Sequence, residues 1–337
     1  MSPRARSVVS LVVSLALAVS LLWLALRDAD LAAVGAALVD GQWGWAVPFI
    51  AVALVSVLVR AWRWGLLVDA LPAQRERTPL RLLAASVCIG YLVNYAAPRL
   101  GEVARTANVS RRTEATFAGV LGTVVAERLL DVVALGLAIL SVGALYGSRV
   151  AAIWAEAADG IQAGLDLVGG VWVLVAAALA AAAAAGFVLT RSGGGRLAGL
   201  VHTFRDGVAT VLRTGRVGSL VASTVALWVC YALMADLPLR LLGMDAVYSL
   251  SLVDAWAVMA IGGIGMALPA PGGTGSFHYA TVQALTLLFG VAATPAATYA
   301  LLVHAAGVVF YCVLGVASLV AQGASLGELT TAAEPTS

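Results

Sequence analysis

Lysine is absent from this chain. All 20 basic residues are Arg, 18 carboxylates accompany them, and charged residues make up only 11% of the 337 positions. A soluble domain carries about 25% charged and about 45–50% apolar residues. At 61% hydrophobic and a mean hydropathy of +0.97, this sequence leaves too little polar surface to face water on all sides. It reads as an integral membrane protein. The absence of Lys, together with an excess of Ala, is a compositional bias to which no function is assigned. Cysteine is nearly as scarce. Cys88, Cys230 and Cys312 lie in apolar runs without metal-ligand spacing, so they read as core residues and no disulfide is expected. His202, His278 and His304 are scattered, and no P-loop, His/Cys ligand set or DxD pair is present. No metal or other cofactor is therefore expected. The apolar runs do not alternate as the strands of a membrane barrel do, which leaves helices to satisfy the backbone in lipid.

Taken in order, the runs make a path. Arg4 and Arg6 precede a run over residues 8–26, long for a signal peptide and read as a retained first span. Residues 30–39 place Leu31, Val34, Leu38 and Val39 on one stripe, a short helix at the interface. Residues 44–68 are the second span. Its end, "RAWRWGLL", sets Arg60 and Trp64 one turn apart with Arg63 beside them. Snorkelling to the interface above a Trp belt is the simpler reading, and contact with a lipid head group is the alternative.

The run over 82–97 is too short and too polar for a span of ~20 residues. Arg75, Arg77 and Arg81 lie on one flank and Arg99, Arg105, Arg111 and Arg112 on the other, so both ends belong in the cytoplasm. This reads as a re-entrant hairpin broken around Pro98 and Gly101. Residues 115–146 then cross to the outside. Glu127 and Asp131 fall four apart on one face of this span, where like charges repel unless a cation intervenes. Arg128 is adjacent, and Arg99 or Arg105 can fold back toward them. The following loop, with Arg149, Glu156, Asp159 and Asp166, is placed outside.

Residues 171–190 return, 196–214 form a basic interfacial helix, and 217–239 cross outward, with Asp236 and Arg240 as a local ion pair. The runs 252–268 and 279–290 flank "PAPGGTG" and read as a second re-entrant hairpin, entered from outside. Residues 296–321 form the last span, and 322–337 a polar, disordered tail. The expected architecture is all-α and polytopic, with about six full spans and two re-entrant hairpins in a single transmembrane domain over residues 1–337. Residues 8–146 and 171–321 repeat the same order of elements in opposite orientation, with a Pro/Gly break at the corresponding point of each half. Such paired breaks point to a site near the midplane. In this path 14 of the 20 Arg fall on the cytoplasmic side, three outside (Arg27, Arg149, Arg240) and three within spans (Arg60, Arg63, Arg128). Both termini are expected in the cytoplasm and the protein in the plasma membrane.

Residues 90–131 concentrate the costly charges: Arg99, Glu102 and Arg105 after the break, then Glu127, Arg128 and Asp131 inside a run that is otherwise membrane-grade. Ionisable groups at such depth mark a candidate site. With "RAWRW", "NYAAPRLGEVAR", "AERLLD" and "PAPGGTGSFHYA" in this order, nearly the whole chain, about residues 8–321, resembles the membrane domain of lysylphosphatidylglycerol synthases and related flippase-like proteins. The resemblance implies lipid handling. It carries over Arg99, Glu102, Arg105, Glu127, Arg128, Asp131, Pro271, Gly272, Gly273 and Gly275; many relatives have Glu where this chain has His278. Adding Arg60, Arg63 and Asn94 gives the expected head-group set, in which Arg outnumbers the carboxylates, as suits a phosphate. The full synthases also have a soluble aminoacyl-transferase domain, which these residues do not include, so a non-enzymatic role is the expectation.

Three functions follow in order of preference. The first is a translocator or binder of a phospholipid or polyprenyl-linked lipid. The second is a non-catalytic membrane partner of a separate lipid-modifying transferase. The third is an embedded transferase with Glu127 or Asp131 as base. Nucleic acid is not an expected partner. The topology is testable in a background lacking the three native cysteines. Single cysteines at Arg75 and Arg111 should both react only with a reagent on the cytoplasmic side, and one at Asp159 only from outside. Opposite sides for the first two would make residues 82–97 a true span and remove the inverted repeat.

Overall fold

A computed structural model describes residues 3–96, 100–161, 214–268 and 270–323 of the chain. Among these, every regular element is a helix: α1 (Pro3–Leu26), α2 (Leu31–Val39), α3 (Ala46–Val68), α4 (Leu80–Ala96), α5 (Leu100–Ser110), α6 (Phe117–Ile161), α7 (Val217–Leu241), α8 (Met244–Tyr248), α9 (Leu252–Ala267), α10 (Ser276–Gln283) and α11 (Ala293–Gln322). The span expected at 171–190 and all but the last residue of the helix expected at 196–214 lie outside the described residues. So do Pro98, Arg99, Pro269 and residues 324–337.

Among the described residues, four stretches are long and apolar enough to cross a bilayer: Trp43–Val68, Phe117–Ala151, Val217–Leu241 and Ala293–Gln322. They coincide with four of the expected spans. Their outer faces remain apolar and exposed, as at Val309, Val313, Val316 and Val320 of α11, which are the positions a bilayer would cover. The expected short helix after the first span is α2, started by Asp30, whose carboxylate accepts from the Ala32 and Ala33 amides at 2.9 and 3.2 Å.

The helices that flank each Pro/Gly break pair as hairpins. At 1.5 Å per residue the 17 residues of α4 reach about 26 Å and the 11 of α5 about 17 Å, short of a hydrocarbon core of ~30 Å. The 16 residues of α9 and eight of α10 are shorter still, and a π-helical turn at Ala284–Leu288 extends the second leg. In each hairpin the two legs pack on one another. The α4–α5 crossing depends on Gly101, because a Cβ there would overlap the Gly90 carbonyl oxygen and press on the Asn94 side chain. Asn94 Oδ1 accepts from the Gly101 amide at 2.8 Å, satisfying a donor that the start of α5 leaves open. In the second hairpin Gly272, Gly273 and Gly275 have φ of +58°, +73° and +83°, left-handed backbone that a side chain would strain.

One expectation is corrected. Residues 149–161 are not a loop but the continuation of α6, which runs 45 residues from Phe117 to Ile161. The segment is rich in Ala and contains no Pro, so nothing in it stops a helix that already has a long apolar run behind it.

Elements of the two halves interlock. α3 packs along α7, α4 along α11, and α9 along α6. Tyr95, at the end of α4, abuts the second break, since a Cβ on Gly272 would lie 3.0 Å from its Cδ1. The end of α4 and the second break are therefore neighbours. The Gly101 contact sets a stability test: Gly101→Ala should cost about 2 kcal/mol or more through overpacking against backbone. Gly143→Ala, at a position of α6 with nothing within 4 Å, should be neutral or stabilising by less than about 1 kcal/mol. Thermal melting in detergent checks both, and equal behaviour of the two variants would contradict the crossing.

Candidate functional site

Three helices bring the buried charges together. Helix α3 contributes Arg60, Arg63 and Trp64, which share a face because the spacings of three and four residues nearly complete a turn. Helix α6 contributes Glu127 and Asp131 from the matching spacing, and α5 contributes Glu102 and Arg105. Arg63 and Glu127 are fully buried, and Arg60 and Arg105 are 5% and 3% exposed.

Glu127 is the hub. Its Oε1 faces Arg60 Nε at 2.9 Å and Arg63 Nη2 at 3.2 Å, while its Oε2 lies 2.8 Å from Arg105 Nη1. Asp131 takes Arg63 Nη2 on Oδ1 at 2.6 Å and Arg60 Nη2 on Oδ2 at 3.1 Å. The intervening cations thus relieve the repulsion between the two carboxylates. Arg128, closer to the surface, holds Glu102 Oε1 at 2.8 Å and reaches Asp131 Oδ2 at 3.7 Å. Four guanidinium groups against three carboxylates leave the cluster with one net positive charge.

Neutral groups complete it. Tyr91 and Tyr231 hydroxyls accept from Arg60 Nη1 at 2.9 and 3.1 Å, and Thr224 Oγ1 accepts from Arg63 Nη1 at 3.3 Å. The Arg105 guanidinium sits over the Trp64 ring, 4.7 Å from its centroid, and Trp64 Nε1 donates to Thr123 Oγ1. Four buried polar atoms of the cluster nevertheless lack a hydrogen-bond partner: Arg63 Nε, Arg105 Nη2, Glu102 Oε2 and Glu127 Oε2, the last of which is ion-paired with Arg105. Buried unpartnered donors and acceptors of this kind are rare because an unmade bond costs about 1–3 kcal/mol, and more for a charged group. Arg105 and Glu102 line a small, partly open recess together with Arg60, Tyr91, Asn94 and Arg128.

The structure gathers Arg60, Arg63, Asn94, Glu102, Arg105, Glu127, Arg128 and Asp131 in one place. The snorkelling reading of Arg60 and Arg63 is thereby corrected: both turn inward, because α3 packs against α6 and offers the carboxylates their cations. Arg99 lies outside the described residues. Gly272, Gly273, Gly275 and His278 belong to the second hairpin and do not line the recess; Pro271 opens that hairpin's 3₁₀ turn. His278 is instead buried beside His304. Tyr231 and Thr224 were not anticipated from the sequence. A lone Tyr and Thr in an apolar helix give a faint signal, and only the packing of α7 on α3 makes them partners.

The family described as "Lysylphosphatidylglycerol synthase TM region" matches residues 11–315. No curated protein and no solved structure matches the chain.

Removing one member of a buried ion pair costs ~3–5 kcal/mol, because the remaining charge is stranded. Glu127→Gln, which leaves Arg105 without a carboxylate and Arg60 and Arg63 with Asp131 alone, should therefore lower thermal stability by that order. Asp131→Asn should cost less, since Asp131 retains 21% side-chain exposure. Glu76→Gln, in an exposed loop, should leave melting unchanged. A Glu127→Gln melt equal to that of Glu76→Gln would contradict the hub.

Proposed function

The chain belongs to the lysylphosphatidylglycerol synthase TM region family, membrane domains associated with lipid modification or translocation, and from that premise we propose that it binds and translocates a lipid with a phosphate head group. One observation carries the reading. Arg105 lines a recess with a net positive lining and is anchored through Nη1 to Glu127, yet its buried Nη2 has no hydrogen-bond partner. A phosphate oxygen is the acceptor that such a donor lacks, and the adjoining Arg128 supplies a second guanidinium once Glu102 releases it.

On this reading the two hairpins are re-entrant and the halves are inverted repeats. The leg lengths support the first point. The reciprocal packing supports the second, with the hairpin leg α4 lying on the last helix of the other half and α9 lying on α6. The lipid is a phospholipid or a polyprenyl-linked intermediate, and the membrane is the plasma membrane with both termini in the cytoplasm. Glu127 acts as a counter-ion rather than a base, since both its oxygens face guanidinium groups.

The test uses proteoliposomes with a fluorescent anionic phospholipid whose transbilayer movement is followed by quenching from outside. Arg105→Lys keeps a cation for Glu127 but removes the free arm of the guanidinium. A hydrogen bond to a charged group is worth about 1.5–3 kcal/mol, so movement should slow by about 10- to 100-fold at limiting lipid, with melting close to wild type. Arg77→Gln, on an exposed loop, should move lipid normally. Wild-type rates in a folded Arg105→Lys protein would overturn the reading and favour a non-catalytic partner of a transferase.

A further inference from the structure

The second hairpin carries a pair of ionisable rings that the charge cluster does not use. His278, on α10, is 3% exposed. His304, on α11, is half-buried, and the two ring centroids are 4.7 Å apart at an interplanar angle of 56°. His278 Nδ1 accepts from the Gly275 amide at 3.3 Å. This bond satisfies an open donor at the start of α10, and it requires a lone pair on Nδ1, so the neutral ring carries its hydrogen on Nε2. His304 Nε2 lies 3.4 Å from Thr274 Oγ1, on the break itself. Phe277 packs against both rings, with centroids 5.9 and 5.8 Å away.

No carboxylate compensates a charge here among the described residues. α1, which packs on α10 close to Gly275, brings Ala18 and no titratable side chain within its described positions 15–26. The acid of α9, Asp254, is occupied at the far end of that helix by Ser251 and Tyr146. On α11, Tyr299 donates to the Ala235 carbonyl and Tyr311 stacks on Tyr91, which leaves His304 as the ionisable group in contact. Tyr95 meets the break at Gly272, and Tyr279 is the remaining titratable side chain of α10.

We propose that His278 and His304 form a proton-binding site that keeps the second hairpin shut while both rings are neutral and releases it when either takes up a proton. A proton arriving from water on His278 Nδ1 turns an acceptor into a donor facing the Gly275 N–H, which breaks the bond that starts α10. It also places an uncompensated cation in an apolar surround beside the second imidazole. Protonation and the shut arrangement therefore exclude one another. In an opened hairpin the rings are hydrated and titrate near their ordinary value of about 6.5. The sign follows by linkage: the shut form binds fewer protons, is fully favoured above about pH 6.5, and loses ground as pH falls below it. Each ring contributes up to a tenfold shift in the open-to-shut ratio per pH unit, so one ring gives about tenfold at pH 5.5. This inference stands apart from the head-group reading, because its observable is the hairpin itself.

The test is hydrogen–deuterium exchange of the whole protein in detergent at pH 7.5 and 5.5, with labelling times scaled for the intrinsic rate. Peptides over residues 270–283 should lose about tenfold in protection at pH 5.5, while peptides of α3 should not change. His278→Asn preserves an acceptor near the Nδ1 position, and His304→Gln preserves a polar group near Nε2, without either titrating. In the double variant the pH dependence should vanish, and α3 protection reports whether the protein is folded; His304→Gln alone serves if it is not. Equal protection of 270–283 at the two pH values in the wild type would overturn the proposal. So would a pH dependence that survives in the folded variant.

Discussion

The side chain of Glu127 holds three helices in register. A carboxylate with no exposure, set between Arg60, Arg63 and Arg105, ties α6 to α3 and α5 through contacts of 2.8 to 3.2 Å. None of the three cations could be buried alone, and neither could the carboxylate, since each would lose several kcal/mol of hydration without return. The rest of the site follows from that constraint. Asp131 is tolerated one turn away because Arg60 and Arg63 bridge both acids, and Tyr91 and Tyr231 take the donors of Arg60 that no carboxylate reaches.

The network is nearly closed but not complete. Arg105 Nη2 and Glu102 Oε2, in two residues that line the recess, are left without hydrogen-bond partners, and the Arg128–Glu102 pair has side chains 43% and 25% exposed. An exposed pair of this kind is worth little, about 0–1 kcal/mol, whereas the fully buried pairs behind it are costly to break. The outer pair is therefore the part that can exchange partners while the inner network holds its shape. The two hairpins meet beside this region through Tyr95 and Gly272, with Tyr95 four residues from Tyr91.

Much of this was legible in the sequence, for physical reasons that differ by residue. Glu102, Arg105, Glu127, Arg128 and Asp131 stand out because charge is rare in runs of this hydropathy, and the breaks stand out because Pro and Gly interrupt runs too short to span. Arg60 and Arg63 were harder. Near a helix end, beside Trp, an Arg that snorkels and an Arg that turns inward look alike in sequence, and only the packing of α3 on α6 separates them. Tyr231 and Thr224 gave almost no signal, because a single polar residue in an apolar helix has no periodicity to read. The continuation of α6 beyond residue 146 was missed because charge was taken for a loop where Ala-rich sequence sustains a helix. His278 was grouped with the head-group residues through its place in a motif, whereas its neighbours are His304 and the start of its own helix.

The claim at the centre is that the open arm of Arg105 receives a phosphate. Native mass spectrometry of the protein released from micelles containing phosphatidylglycerol measures this directly, by the activation energy needed to strip bound lipid. The account predicts one lipid retained on the wild type after the others have been lost, and its loss at markedly lower energy from Arg105→Lys. An equal hold on that lipid in the two proteins would contradict it.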